Sequence, residues 1–379
     1  MKKSKTPRLT LILSIATGLL ILLAGIFVYL TLAAGPSANR EAEDATPDEF
    51  AKVISDPAAS NSEALQFLGQ STTPDDGNFE TVNVSDATSL QTALDNAQPG
   101  QHIVMADGSY GGKFTITKPA AADKPIKLSG SRGAIIDGGD LNSGYALYLG
   151  NADYWHLEGF TITNREKGLM ADDIDFTTIK GLYVHTIGNE AIHIRSNSSD
   201  NTIDGNEITN TGLTNIEFGE GIYVGSANNN WGTTSVGGTV TIPTPDKSDN
   251  NKLINNNIYK TGGESMDIKE GTTGGLIKGN TFDGAEMGGP YADSWIDMKG
   301  NGWTIEGNKG KNAKADAFQV HANSIEGEWG HDNIFTGNII ESGVPGYGFN
   351  IGSASGNTVK CDNQAPGAAK GLSDIECTP

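Results

Sequence analysis

Positive charge is scarce in this sequence: 26 Lys and Arg stand against 46 Asp and Glu, a formal net charge of −20. A chain this acidic is repelled by phosphate backbones, so a nucleic-acid partner is excluded. Cysteine is nearly absent, with only Cys361 and Cys377 close to the carboxyl end. Neither a disulfide framework nor a thiolate metal cluster therefore organises the fold, and the pair is expected to close the tail as one disulfide. Aromatic residues make up only 7 % of the chain and 14 prolines face 50 glycines. Short β-branched runs between Gly- and Asn-rich turns, without sustained helical periodicity, exclude a helical bundle and point to an all-β protein.

Long apolar runs are also missing, with one exception. After Lys2, Lys3, Lys5 and Arg8, no charged side chain occurs from Leu9 to Ala34. That stretch exceeds the about 20 residues needed to span a bilayer, and its basic flank belongs in the cytoplasm. Residues 1–35 are therefore expected to be a transmembrane signal-anchor that leaves the rest at the cell membrane on its outer, extracytoplasmic side; cleavage near Ala34 would make it secreted. Residues 36–80, rich in Ala, Ser, Pro and acids, have the composition of a flexible linker, with short helical pieces expected within 49–68.

The folded domain is expected over 81–360, followed by a tail over 361–379. Ser85 and Asp86 are candidate N-caps of a short helix that carries Leu90, Leu94 and Ala97 at helical spacing. From there Gly159, Gly181, Gly205, Asn256, Gly279, Gly307 and Gly337 mark a repeat with steps of about 22 to 30 residues, save one longer step that holds an insertion over 226–249. Repeats of this length, each with two or three short strands, imply a right-handed parallel β-helix with a capping helix. No oligomer interface is signalled, and a solenoid of this kind is expected to be a monomer.

One strand can be laid side by side through six coils: AIHIRS, GIYVGS, SMDIKE, WIDMKG, AFQVHA and GFNIGS. Strand side chains alternate between faces. With the apolar residues inward, the outward set includes His193, Arg195, Tyr223, Asp267, Lys269, Asp297, Lys299, Gln319 and His321. Trp295 shares the outward parity and is a candidate to stack on a sugar ring. Coils stack about 4.8 Å apart, so these residues share one groove. Exposed ion pairs would account for alternating acids and lysines, but not for most of a stripe's cations gathering on one face of an acidic domain.

The chain resembles the pectate-lyase-like right-handed β-helix proteins, and among them the chondroitinase-B and alginate-lyase type of polysaccharide lyases. The resemblance spans about Ser89 to Asn357 and rests on SLQTALDNAQPGQHIVMADGSYGGKFTI, EGIYVGS, ESMDIKEGT and DSWIDMKGN. Glu264 followed by Lys269 is similar to that group's pairing of a calcium-binding Glu with a catalytic Lys base. Lys299 stands where the group usually has Arg, and Gly262 where a second acidic ligand is expected.

The resemblance implies β-elimination on an acidic, uronate-containing polysaccharide outside the cytoplasm. Lys269 would be the base, its pKa lowered by Lys299 and metal charge, with Lys299 or Arg195 countering the developing enolate. Calcium would be held by Glu264, Asp267 and Glu270. His193, Arg195, Tyr223, Trp295, Gln319 and His321 would contact substrate. Two alternatives use the same stripe: a glycoside hydrolase with Asp267 and Asp297 as its paired carboxylates, and a non-catalytic, glycan-binding surface β-helix.

Overall fold

The computed structural model describes residues 79–234 and 240–379, together with the backbone of two short strands, Ala51–Ser55 and Glu63–Phe67. The membrane anchor expected over 1–35 and most of the linker lie outside the described residues. Among those described, no helix is long and apolar enough to cross a membrane. The chain divides into two units, 1–76 and 77–379. In the first, Ala51–Ser55 and Glu63–Phe67 pair antiparallel, so strands stand where the composition suggested helical pieces.

The second unit opens with the strand Glu80–Val84 and the helix Ala87–Asp95. Asp86 caps the helix by accepting from the Ser89 amide at 2.8 Å, and Ser89 Oγ returns the bond to the Asp86 amide at 3.1 Å. Leu90 and Leu94, one turn apart, bury the inner face over the first coil.

Beyond the helix the strands form parallel ladders, as a parallel β-helix requires. One sheet of eleven strands makes one face, from Glu80–Val84 to Thr358–Val359; a sheet of sixteen makes two more, joined where the long strands Ala134–Gly150 and Thr161–Asp172 run from one face to the next. The turns carry their own order. Gly205, Gly279, Gly307 and Gly337 all take a left-handed φ of 62° to 66°. In the coil between Gly205 and Gly279, Asn255 takes that role at φ 56°, so the repeat landmark there is Asn255 rather than Asn256. The following residue is a buried asparagine in each case.

These carboxamides bond from coil to coil: Asn206 to Asn256 (2.9 Å), Asn256 to Asn280 (3.0 Å), Asn280 to Asn308 (2.8 Å), Asn308 to Asn338 (2.9 Å) and Asn338 to Asn363 (2.9 Å). Each Nδ2 also donates to a carbonyl of the preceding coil, as Asn308 does to Ile277 at 2.9 Å. The ladder satisfies turn groups that no strand can reach. At the far end Cys361 and Cys377 form the expected disulfide.

Candidate functional site

The stripe assembles in the register expected from strand alternation. His193 pairs with Tyr223, Tyr223 with Asp267, Asp267 with Asp297, and Asp297 with Gln319. Their neighbours Ile192, Ile194, Ile222, Val224, Met266, Ile268, Ile296 and Met298 are buried inward, which fixes the polar set on the opposite face. Four loops rise around that face and border a cavity of about 1000 Å³, lined by His193, Arg195, Tyr223, Asp267, Lys269, Asp297, Lys299 and His321 among others.

Asp267 lies at the centre. Lys269 Nζ is 2.6 Å from its Oδ2, and Lys299 Nζ from the next coil is 3.4 Å from its Oδ1. Lys299 also pairs with Asp297, whose Oδ1 lies 3.4 Å from His321 Nε2. Burial alone would depress both amines, but Asp267 outweighs it and holds Lys269 and Lys299 above the ordinary lysine value. The expectation of a lowered Lys269 pKa is thereby corrected: the free protein keeps it as an ammonium. Burial opposes ionisation of Asp267, but the two lysines prevail and hold it below the ordinary carboxylate value.

Tyr223 lies beneath Lys269, whose Nζ is 5.0 Å from the ring centroid, and its other neighbour is the His193 ring at 4.1 Å. Burial, with Asp267 and Glu220 nearby, pushes the phenol well above its usual range, so it stays protonated. Burial depresses the His193 pKa, and its Nε2 meets the Gly225 carbonyl at 2.9 Å. Arg195 is aimed by buried Asp172, which accepts from its Nε at 2.7 Å and from the Tyr148 hydroxyl at 3.0 Å. One guanidinium nitrogen, Nη2, has no hydrogen-bond partner among the described residues, and Arg195 lines the cavity.

Two sequence-predicted residues do not belong to the groove. Trp295 is fully buried: the strand begins only at Ile296, so outward parity does not extend back to the turn residue before it. Its indole enters the core against Phe282 and Phe318, in space left open because residue 310 is glycine; a Cβ there would fall 2.8 Å from the Trp295 ring. Glu270 lies past the strand, where its Oε1 accepts from the Asn228 amide (2.8 Å) and side chain (2.7 Å), tying down the insertion instead of facing a metal. Gln319 keeps its register but is turned to neighbours, donating to Asp316 at 3.1 Å and meeting His321 Nε2 at 3.0 Å.

The acid that replaces Glu270 is Glu220. Glu220, Glu264 and Asp267 offer carboxylate oxygens within 4.8 Å of one another, all three buried. Burial and the adjacent Asp267 raise Glu264 to about 8, while burial together with Glu190 and Asp267 raises Glu220 well above its ordinary value. Glu220 Oε2 has no hydrogen-bond partner among the described residues. An all-oxygen acidic set with an orphaned oxygen fits a hard cation such as calcium, and in its absence the cluster holds protons. The sequence signal was available: Glu190, Glu220 and Glu264 each stand two residues before the first inward residue of a stripe strand.

Among solved structures, the alginate lyase from Paenibacillus sp. str. FPU-7 is 34 % identical to this chain, covering 77 % of it and 97 % of the lyase, with a TM-score of 0.68. The pectate lyase Pel9A (13 % identity, 79 % of each chain, TM-score 0.54) and a rhamnogalacturonan lyase (12 % identity, 77 % of this chain and 84 % of the other, TM-score 0.54) share the fold. No family model matches the chain, and no curated protein does.

Proposed function

The chain belongs to the pectate-lyase-like family of parallel β-helix proteins, and from that premise we propose that it cleaves a linear, uronate-containing polysaccharide by β-elimination, with alginate, the substrate named for its Paenibacillus relative, as the first candidate. The observation that carries this reading is the placement of Lys269 and Lys299, from consecutive coils, in one cavity with Tyr223.

Elimination needs the substrate carboxylate countered, a base for the proton on C5 and an acid for the leaving oxygen on C4. Lys299 and Arg195, both in the cavity lining, are the cations assigned to the carboxylate. The neutral amine of Lys269 takes the C5 proton, the C4–C5 double bond forms and the C4–O bond breaks. Tyr223, held protonated, gives its proton to the departing oxygen. The Lys269 ammonium above the ring then returns its proton to the phenolate. Because Asp267 keeps Lys269 charged in the free protein, the reactive amine is a minority form that grows with pH.

Glu220, Glu264 and Asp267 would hold calcium, which when bound supplies positive charge beside the substrate carboxylate. Hydrolysis through Asp267 and Asp297 is disfavoured, since a glycosidase needs one of its two carboxyls as a proton donor and Lys299 donates to both. We further propose that the protein acts as a monomer outside the cytoplasm, tethered by Leu9–Ala34, a location that suits its disulfide.

The test is incubation of the protein with alginate and other polyuronates while following ultraviolet absorbance of unsaturated ends. Absorbance that rises with product supports elimination. New reducing ends without absorbance would establish hydrolysis in its place.

A further inference from the structure

Three aromatic side chains stand out into solvent among the described residues: Phe176 at 48 %, Phe218 at 52 % and Tyr291 at 76 % exposure. Phe176 is covered on one face by Tyr154, with centroids 5.0 Å apart and planes 9° from parallel. Phe218 and Tyr291 have no ring neighbour among the described residues, and both line the cavity that holds Lys269 and Tyr223. One exposed ring is ordinary on a protein surface, but two that line the same cleft stand where a ligand in it would meet them.

The loops that carry the two rings are locked together by glycine. Phe218 ends the 3-10 turn Ile216–Phe218, which Asn215 caps by accepting from the Glu217 amide at 3.2 Å. Tyr291 follows Pro290 in the loop after the strand Thr281–Asp283. The Gly262 carbonyl accepts from the amides of both Gly288 (3.1 Å) and Gly289 (2.9 Å). A Cβ on Gly288 would lie 2.6 Å from Ile216 Cδ1, and one on Gly219 would lie 2.7 Å from Gly212 Cα. The backbones of three loops therefore meet closely, with the Ile216 side chain packed against Gly262 and Gly288, and Lys314 adds a bond to the Gly289 carbonyl at 2.7 Å. Gly262 thus occupies the position of the missing acid because it is the centre of this contact. The rings are presented on a braced wall, which reduces the ordering cost when a ligand binds.

Resting on the polyuronate reading, we propose that Phe218 and Tyr291 form a stacking platform for sugar units flanking the cleaved bond. A uronate ring has a face of C–H groups and an edge of carboxylate and hydroxyls. The platform takes the apolar face, while the cations on the groove floor take the carboxylates. The rings position substrate and do not touch the proton transfers.

The experiment uses the full chain and alginate, with Tyr291→Ala, Phe218→Ala and Tyr291→Phe compared in two assays. Alginate affinity is read by gel-retardation electrophoresis in the Lys269→Ala background, and KM and kcat are read by absorbance with Lys269 intact. Each alanine variant is expected to weaken affinity and raise KM by roughly ten-fold, with kcat within about two-fold and an unchanged melting temperature; Tyr291→Phe keeps the wild-type values. Affinity and KM unchanged in both alanine variants would overturn the platform whatever the chemistry. Alginate binding without new absorbance would defeat the elimination reading instead, leaving the platform to be judged on affinity. A Lys269→Ala chain that binds no polyuronate overturns the platform outright.

Discussion

Asp267 holds Lys269 at 2.6 Å, so the residue that fixes the amine in place is also the one that keeps it charged. Lys269→Ala is expected to lower elimination by about 10²- to 10⁴-fold, the range for losing a proton-transfer group. Asp267→Asn removes the main cause that raises the Lys269 pKa and leaves burial to depress it against the smaller pull of Asp297 and Glu270. The alkaline rise of kcat/KM should then begin at lower pH. A profile that does not move would show that Lys269 is not the base.

Glu264 links the acidic cluster to stability. Its ordinary value is 4.5 and its folded value about 8, so between these the folded protein keeps a proton that the unfolded chain has released. The stability is complete below the lower value and falls as pH climbs through the higher. Melting temperature should therefore drop from about pH 5 to pH 8, and Glu264→Gln, neutral at every pH, should flatten that drop. Calcium should raise the melting temperature most at alkaline pH, where the cluster has lost its protons, and not in a Glu220→Gln, Glu264→Gln double variant. A calcium-insensitive wild type would remove the cation from this site.

Asn308 makes two side-chain donations and accepts twice, from the Asn280 amide (2.9 Å) and side chain (2.8 Å). Asn308→Ala leaves those buried groups unpaired at roughly 1–3 kcal/mol each. Chemical denaturation should show the loss, with kcat unchanged in molecules that remain folded. Wild-type stability in this variant would mean that water replaces the carboxamide at little cost.

The disulfide between Cys361 and Cys377 closes a separation of 16 residues. Its removal as Cys361→Ser, Cys377→Ser should destabilise the last coil by about 3 kcal/mol or less. Hydrogen exchange should quicken first in Phe349–Asn350 and Thr358–Val359, while the groove around Asp267 keeps its protection. Uniform loss of protection along the solenoid would contradict a local role.

The groove floor was legible because coil register and side-chain alternation are both periodic: once Ile296 and Met298 are placed inward, Asp297 and Lys299 have no other face to occupy. Trp295 escaped that logic since it precedes the strand, and its direction depends on Gly310 in the later strand Lys309–Lys311. Glu220 also lies before its strand, where alternation does not reach; what marks it is its place two residues ahead of the first inward residue, shared with Glu190 and Glu264. The charge on Lys269 follows from a distance to Asp267 that spacing alone does not give. Phe218 and Tyr291 sit in loops whose shape is set by glycine contacts between segments far apart in sequence.

The asparagine ladder gives the solenoid a direction. Asn206 donates forward to Asn256 and backward to the Ile179 carbonyl, and Asn256, Asn280, Asn308 and Asn338 repeat that arrangement one coil on. A coil bearing one such asparagine is therefore a self-contained module whose two ends match those of its neighbours. Lengthening by whole modules would preserve every bond at the joins and extend the cleft in steps of about 4.8 Å, close to the size of one sugar ring. On the polyuronate reading, the architecture would let the number of sugar units gripped change by integers while the groove around Asp267 stays fixed.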